Sequence, residues 1–403
     1  MPCLHAEAAA AGTTRRSRKR SGWRLPTLIA LCALGLSLPL WSAQATALGP
    51  RLYWLLDLAC HWQWLYAQLL LIATLAQLAR TQRWRLLFLL PLAALPWWTV
   101  APMAPRAVGN GPSLSVVAAN LHHRERDLQP LLGWLVSTRA DLVVLTELTP
   151  SHARQIEAIA GYPYRQLAPE QGPFGIGLLS RYPLIEAQLR HDADGIPHIN
   201  ALVDFRGQPI RVLGVHPIPP LSPHFHRARD GALRVWAAHA KVLPTVLAGD
   251  LNATPWSSGF AGLAEHGLRR ASGLAPTWPS AVAAISGLPI DHVLVSKAWS
   301  VQAQARGPDI GSDHRPAWVR LQLDHPSPKR ALTPSGEPPA QRHRRSRLDS
   351  APSLSCGRPA GNPGCPRCPG AACSRSRAIE RSDISQHRNR VASGPRNGCS
   401  RMI

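Results

Sequence analysis

From Ser113 onward the chain runs through a series of short apolar segments, several of them closed by a polar residue, and this repetition limits what it can fold into more than any other feature. The segments are SLSVVAAN, ADLVVLTE, FGIGLLS, HINALVDF, PIRVLGVH, LPTVLAGD, LPIDHVLVS and RPAWVRLQL. Rich in Val, Leu and Ile and edged by turn residues, they read as β-strands. Between them RERDLQPLLGWLVS, PSHARQIEAIA and SPHFHRARDGALRVWAAHA place apolar residues three and four apart, the spacing of helices that bury one stripe. Eight or more strands mixed with helices predict an α/β domain over residues 107–325 whose sheet is covered by helices.

The chain upstream is of another kind. LPTLIALCALGLSLPLW (Leu25–Trp41) is uncharged and apolar over nearly the thickness of a membrane, and follows the basic run RRSRKR (Arg15–Arg20). A signal peptide fits that template. Two further apolar stretches, Leu52–Ala79 and Trp84–Met103, argue instead for three transmembrane helices over residues 25–103, with Trp and Tyr near their ends. The loop RTQRWR (Arg80–Arg85) holds three arginines and the loop 43–51 holds one, so the positive-inside bias assigns the basic arm 1–24 and Arg80–Arg85 to the cytoplasm. An odd number of spans then delivers the α/β domain to the extracytoplasmic, periplasmic side of a multi-pass cell-membrane protein. Asp57 and His61, one helical turn apart, are expected near the outer end of the second span, facing water or a neighbouring helix.

Net charge sharpens the division. The chain carries 45 Lys and Arg against 23 Asp and Glu, which would ordinarily point to nucleic acid. The surplus sits in the tails, however: residues 107–325 hold nineteen basic against seventeen acidic side chains, whereas 326–403 hold fifteen against four. No cysteine lies between Cys60 and Cys356, which removes thiol nucleophiles and thiolate metal sites from the α/β domain. The tail 326–403, rich in Pro, Arg, Ser and Cys, is expected to be disordered or to be an extension read in an altered frame. Its CPRCPGAAC (Cys365–Cys373) supplies only half of a zinc site.

Polar residues gather where the β-segments end, the place at which α/β folds put chemistry. Asn120, Glu147 and His216 close three of them, Asp250 and Asn252 close TVLAGDLN, Asp291 opens IDHVLVS, and Asp313 and His314 precede the last segment. Such a set of carboxylates, amides and imidazoles suits hydrolysis of a phosphate ester. The anionic ester repels water until a hard cation held by oxygen ligands neutralises it, and Mg²⁺ fits that requirement, with Mn²⁺ as a substitute. Glu147 and Asp313 are the expected metal carboxylates, with Asn120 assisting through its carbonyl. A histidine near its ordinary pKa can act as acid or base, and works best when a carboxylate fixes its tautomer. His314 needs such a partner. Side chains alternate along an extended segment, so Asp313 points away from it and Asp291 is the better candidate.

The motifs N at Asn120, TE at Glu147, GIGLLSRYPL, VHP at His216, GDLN at Asp250–Asn252, IDHVLVS at Asp291 and SDH at Ser312–His314 resemble the endonuclease/exonuclease/phosphatase superfamily, in the family's order and over about half the chain. The resemblance implies a four-layer αββα sandwich, DNase I-like, with the site at one end of the packed sheets. It further implies that Glu147 binds Mg²⁺ with help from Asp313, that Asp291 orients His314, and that Asp250 and Asn252 handle nucleophile and phosphate. His216 resembles the second histidine of DNase I-like and sphingomyelinase-like members, a proton donor or phosphate clamp. His292 departs from the aromatic residue of many relatives and reads as a packing position; Trp278 fits either the substrate's side or the core.

The expected function is therefore a membrane-anchored, Mg²⁺-dependent phosphoesterase. Its expected partners are the lipid bilayer and a phosphate-ester substrate (lipid, small molecule or nucleic acid), with a lipid head group or small phosphodiester favoured over DNA; no protein partner is inferable. An extracytoplasmic nuclease, an inactive membrane-tethered binding module and a membrane assembly factor are the alternatives, and retention of the whole residue set argues against the last two.

Overall fold

The structure, a computed structural model, describes residues 23–100, 103–106, 109, 111–124 and 126–324; the basic run at 15–20 and the Cys-rich tail lie outside them. The first part is helical: α1 (Arg24–Trp41), α2 (Pro50–Cys60), α3 (Gln63–Thr81), a 3-10 stretch Trp84–Ala94, and α4 (Leu95–Thr99). There follow β1 (Ser113–Asn120), α5 (Gln129–Thr138), β2 (Leu142–Thr146), α6 (Pro150–Glu157), β3 (Tyr164–Ala168), β4 (Ile176–Ser180), β5 (Leu184–His191), β6 (Pro197–Phe205) and β7 (Gln208–Gly214). The last elements are α7 (Pro223–Ala238), β8 (Thr245–Asp250), β9 (Leu268–Arg270), β10 (Asp291–Ser296), β11 (Trp299–Arg306) and β12 (Ala317–Leu323).

The strands form two six-stranded sheets, ordered β11-β12-β1-β2-β4-β3 and β5-β6-β7-β8-β10-β9. Alternate side chains of a strand point to opposite faces. Val116, Ala118, Leu142 and Val144 therefore enter a core between the sheets, which Val212, Val246, Ala248, Val293 and Val295 fill from the other side. Their neighbours Val117, Ala119, Val143 and Leu145 face outward onto Leu131, Leu135 and Ile156 of α5 and α6. Leu213, Leu247 and Leu294 likewise meet Leu233 and Trp236 of α7. The result is the expected four-layer αββα sandwich. A strand buried on both faces needs an apolar residue at every position, which is why the central strands read as unbroken apolar runs.

All eight segments quoted from the sequence are strands here. The four that the sequence did not announce, β3, β5, β9 and β11, are the four sheet edges. Edge strands are partly solvated and carry polar side chains, as LIEAQLRH does in β5.

Topology brings the polar strand ends together. β1 and β2 are parallel and finish side by side at Asn120 and Thr146, as do β7 and β8 in the other sheet. β10 runs antiparallel to β8 with Asp291 opposite Asp250, so the start of one strand meets the end of the other. Within β8 the backbone just before Asp250 passes close to the segment after β7. Gly249 has φ +145°, and a Cβ there would lie 1.9 Å from the carbonyl oxygen of Val215.

The N-terminal helices differ from the expected three spans. Arg24–Leu48 is the one helix among the described residues long and apolar enough to cross a membrane. α1 packs against α3 through Ile29, Cys32, Leu36, Ala67, Leu70 and Ala73, leaving Leu31, Leu34 and Leu40 exposed. The expected second span is divided at His61–Trp62 into α2 and α3. The third is a 3-10 stretch and one short helix: Pro91, inside the 3-10 stretch, lacks the amide hydrogen that a continuous helix would need there, and Pro96 stands in the first turn of α4. Nor do Asp57 and His61 face water: both are buried, against the α/β domain. Asp57 Oδ2 lies 2.9 Å from Nη2 of Arg229 on α7, whose side chain is wholly buried. An apolar span offers no partner for a carboxylate, and Arg229 does.

Gly249→Ala is expected to lower stability by ~3 kcal/mol through steric conflict and left-handed strain, measured by urea unfolding of the detergent-solubilised protein.

Candidate active site

The site is assembled around the side-chain amide of Asn120. Its Nδ2 donates to Glu147 Oε1 and to Asp250 Oδ2, both at 3.0 Å, so one buried amide links the first sheet to the second. Its Oδ1 accepts from the backbone N–H of His122 at 2.8 Å. Glu147, just past β2, also accepts from the backbone N–H of His123 at 2.7 Å, and its Oε2 lies 2.7 Å from His123 Nδ1. Glu147, His122 and Asn252 all have left-handed backbones, with φ of 56°, 59° and 47°. That conformation is strained for residues with a Cβ and is held by the surrounding hydrogen bonds.

The second group centres on Asp250. His216 Nε2 lies 3.6 Å and His314 Nε2 3.8 Å from its Oδ2, while Oδ1 accepts from the backbone N–H of Asn252 at 2.8 Å. His314 Nδ1 is 2.8 Å from Asp291 Oδ2, both buried. Asp313 points the other way, accepting from the Trp278 indole N–H at 3.2 Å and lying 3.0 Å from His122 Nδ1. Neighbours in sequence are thus divided between two carboxylate groups.

Electrostatics follow from this packing. Burial alone would raise the Asp250 carboxyl, but His216, His314 and the Asn252 amide hold it down at about 2. Burial would likewise neutralise His314, yet Asp291, Asp250 and Asp313 outweigh it and push the imidazole up to about 10. His216 is raised as well, its burial offset by Asp250 and Glu147. Glu147 is lowered: burial opposes ionisation, and Asn120, His216 and His123 overcome it. His292 is different. Burial and Arg270 depress it to about 3, and it packs as a neutral ring on Phe260, between Ser272 and the Ala253 carbonyl.

These residues line a cavity of about 460 Å³. Its polar floor holds Glu147, His216, Asp250, Asn252, Asp313 and His314, and the Trp278 indole stands at its side. His122 and His123 line the cavity too and were not anticipated; their signal was an imidazole pair two residues after a strand-ending Asn. The opposite wall carries Leu58, His61 and Trp62 from the N-terminal helices. A divalent cation fits the floor: His122, His123 and Glu147 bring donor atoms within 4.8 Å of one another, as do Asp250, Asp291 and His314. Asp313 Oδ1, which lies 3.0 Å from His122 Nδ1, is a further oxygen that a hard cation could take as a ligand.

Residues 117–314 match the family model described as the Endonuclease/Exonuclease/phosphatase family. This part of the chain belongs to that family. Among solved structures, it is similar to humanised D. rerio TDP2, at 18% identity and a TM-score of 0.44 over 52% of this chain and 99% of that one. It is also similar to an endonuclease/exonuclease/phosphatase from Beutenbergia cavernae, at 23% identity and a TM-score of 0.44 over 52% of this chain and 72% of that one. No curated protein matches the sequence significantly. The family makes the domain a metal-dependent hydrolase of phosphate ester bonds.

A histidine whose pKa is raised on folding stabilises the fold fully below its unfolded value near 6.5, and that contribution is lost as pH climbs to about 10. The metal-free protein, unfolded thermally in EDTA, is therefore expected to lose stability over this window, and His314→Asn to flatten the loss.

Proposed function

We propose that the protein is a membrane-anchored, Mg²⁺-dependent phosphoesterase that acts on the phosphate ester of an amphiphilic molecule outside the cytoplasm. The observation that carries the reading is Asn120 bridging Glu147 and Asp250, with the His314–Asp291 pair beside them. A cation bound by Glu147 and Asp313, with Asn120, His122 and His123 around it, would neutralise the phosphoryl oxygens; Mn²⁺ could replace Mg²⁺ at such oxygen and imidazole donors. The roles of the protein's own groups follow from their charge. Asp250, ionised and backed by Asn252, orients the attacking water towards phosphorus, takes its proton as the new P–O bond forms, and returns that proton to His216, whose Nε2 lies 3.6 Å away, once His216 has protonated the leaving oxygen. His314, charged and oriented by Asp291, presents its Nε2–H to the phosphate. His216 faces the same point and donates a proton to the oxygen that leaves.

The setting supports an amphiphilic ester over DNA. The α/β domain lacks a basic surplus. If Arg24–Leu48 crosses once with the basic arm in the cytoplasm, the domain would lie on the far side, as it would with three crossings.

The test uses the full chain in detergent with bis-p-nitrophenyl phosphate, single-stranded DNA, sphingomyelin and phosphoinositides, in Mg²⁺ and in EDTA. Turnover of at least one ester in Mg²⁺ and its loss in EDTA are expected. Glu147→Gln and His314→Ala should each lower kcat/KM by ~10²-fold or more. Preferred cleavage of DNA would replace the amphiphile by a nuclease substrate.

A further inference from the structure

The cavity has a wall that the α/β domain does not make. Leu58 and His61–Trp62, at the end of α2, face the catalytic floor together with Pro219, Leu221, Leu288 and Ile290. Leu221 is 77% exposed and Trp62 40%, so two large apolar side chains stand at the mouth uncovered by the described residues. The floor is charged and the wall is apolar, a division that suits a ligand with the same two halves.

The wall is held in place by buried charge. Arg229 Nη2 donates to Asp57 Oδ2 at 2.9 Å, its Nε to Asp230 Oδ1 at 2.8 Å, and its Nη1 to the carbonyl of Asn252 at 3.0 Å. Ser258 N–H donates to Asp57 Oδ1 at 2.5 Å, and His226 Nε2 lies 3.1 Å from Asp57 Oδ2. One guanidinium thus ties α2 to the loop that carries a residue of the site. The Trp54 indole N–H adds a bond of 2.8 Å to the carbonyl of Pro220, on the segment that forms the rim. Removing one partner of a buried, hydrogen-bonded ion pair leaves an uncompensated charge, so α2 is fixed to the domain and is not a tether that swings clear of it.

We infer that the end of α2 is the apolar subsite of the catalytic cavity, where Trp62 and Leu58 seat the hydrocarbon chain of a phosphate ester whose phosphate lies on the floor. This rests on the phosphoesterase reading and adds to it the residues that select the chain. Trp62 supplies a broad apolar face, and Asp57 acts as a positioning residue through Arg229. The chain lies between Trp62 and Leu221, the two exposed members of the wall, and leaves the cavity there.

The experiment compares two chromogenic diesters with the same leaving group, methyl p-nitrophenyl phosphate and dodecyl p-nitrophenyl phosphate, on the full-length protein in one detergent. The parent is expected to favour the dodecyl ester in kcat/KM. Trp62→Ala should lower the dodecyl-to-methyl ratio about tenfold, the order expected for losing one large apolar contact. Trp62→Phe should keep most of the ratio, and Val136→Ala, which removes an exposed apolar side chain on α5, should leave it at the parental value. Equal ratios in the parent and in Trp62→Ala overturn the subsite while leaving the phosphoesterase standing. Absence of turnover of both esters by the parent overturns the phosphoesterase reading and the subsite with it.

Discussion

One amide holds the site together. Glu147 and Asp250 belong to different sheets and carry the same charge; without an intervening donor they would repel across the gap between the two layers. The NH₂ of Asn120 lies between them and donates a hydrogen to each. Everything else is arranged around that bridge: the imidazoles compensate Asp250, the backbone amides of His122 and His123 hold the far side of Asn120 and Glu147, and three left-handed residues keep the loops in place. A buried anion is tolerable only when paired or hydrogen-bonded, so the same contacts that make the carboxylates affordable also fix their positions for chemistry.

The second constraint is the charge of Asp57. In an apolar span it would have no partner. Here it meets Arg229, and the price of burying two charges is met by several hydrogen bonds from α7, Ser258 and His226. Hydrophobic residues of similar volume could have joined the two parts at no loss of stability. What the ion pair adds is geometry: Arg229 reaches Asn252 as well, so the position of α2 and the position of the catalytic loop are set by one side chain. The helical part is accordingly a component of the active-site cavity.

The sequence made the centre of this molecule legible and its margins obscure. Strands buried on both faces, such as Leu142–Thr146 and Thr245–Asp250, need apolar residues throughout and stand out; the edge strand Leu184–His191 has one wet face and does not. Asn120, His216, Asp250 and Asp291 were readable because each interrupts an apolar run at its end. Alternation along an extended segment is the ground for setting Asp313 aside as the partner of His314; residues 311–314 form bends and not a strand, and His314 Nδ1 lies 2.8 Å from Asp291 Oδ2. His122 and His123 sit on an irregular turn that carries no periodic signal. Leu58 and Trp62 could not be found from the sequence, because their place depends on a contact between Asp57 and Arg229, 172 residues apart, and apolar residues in an apolar stretch look the same whether they face lipid or a cavity. The same ambiguity leads to the expectation of three spans, where among the described residues one helix, Arg24–Leu48, is long and apolar enough to cross a membrane.

The central claim of the proposed function is that water, oriented by Asp250, attacks the phosphorus of the bound ester directly. Hydrolysis of bis-p-nitrophenyl phosphate in water enriched in heavy oxygen, with the products resolved by mass spectrometry, tests it. The account predicts one heavy oxygen in the phosphate monoester and none in the nitrophenol. Heavy oxygen in the nitrophenol, or a phosphorylated form of the protein accumulating during turnover, would contradict it.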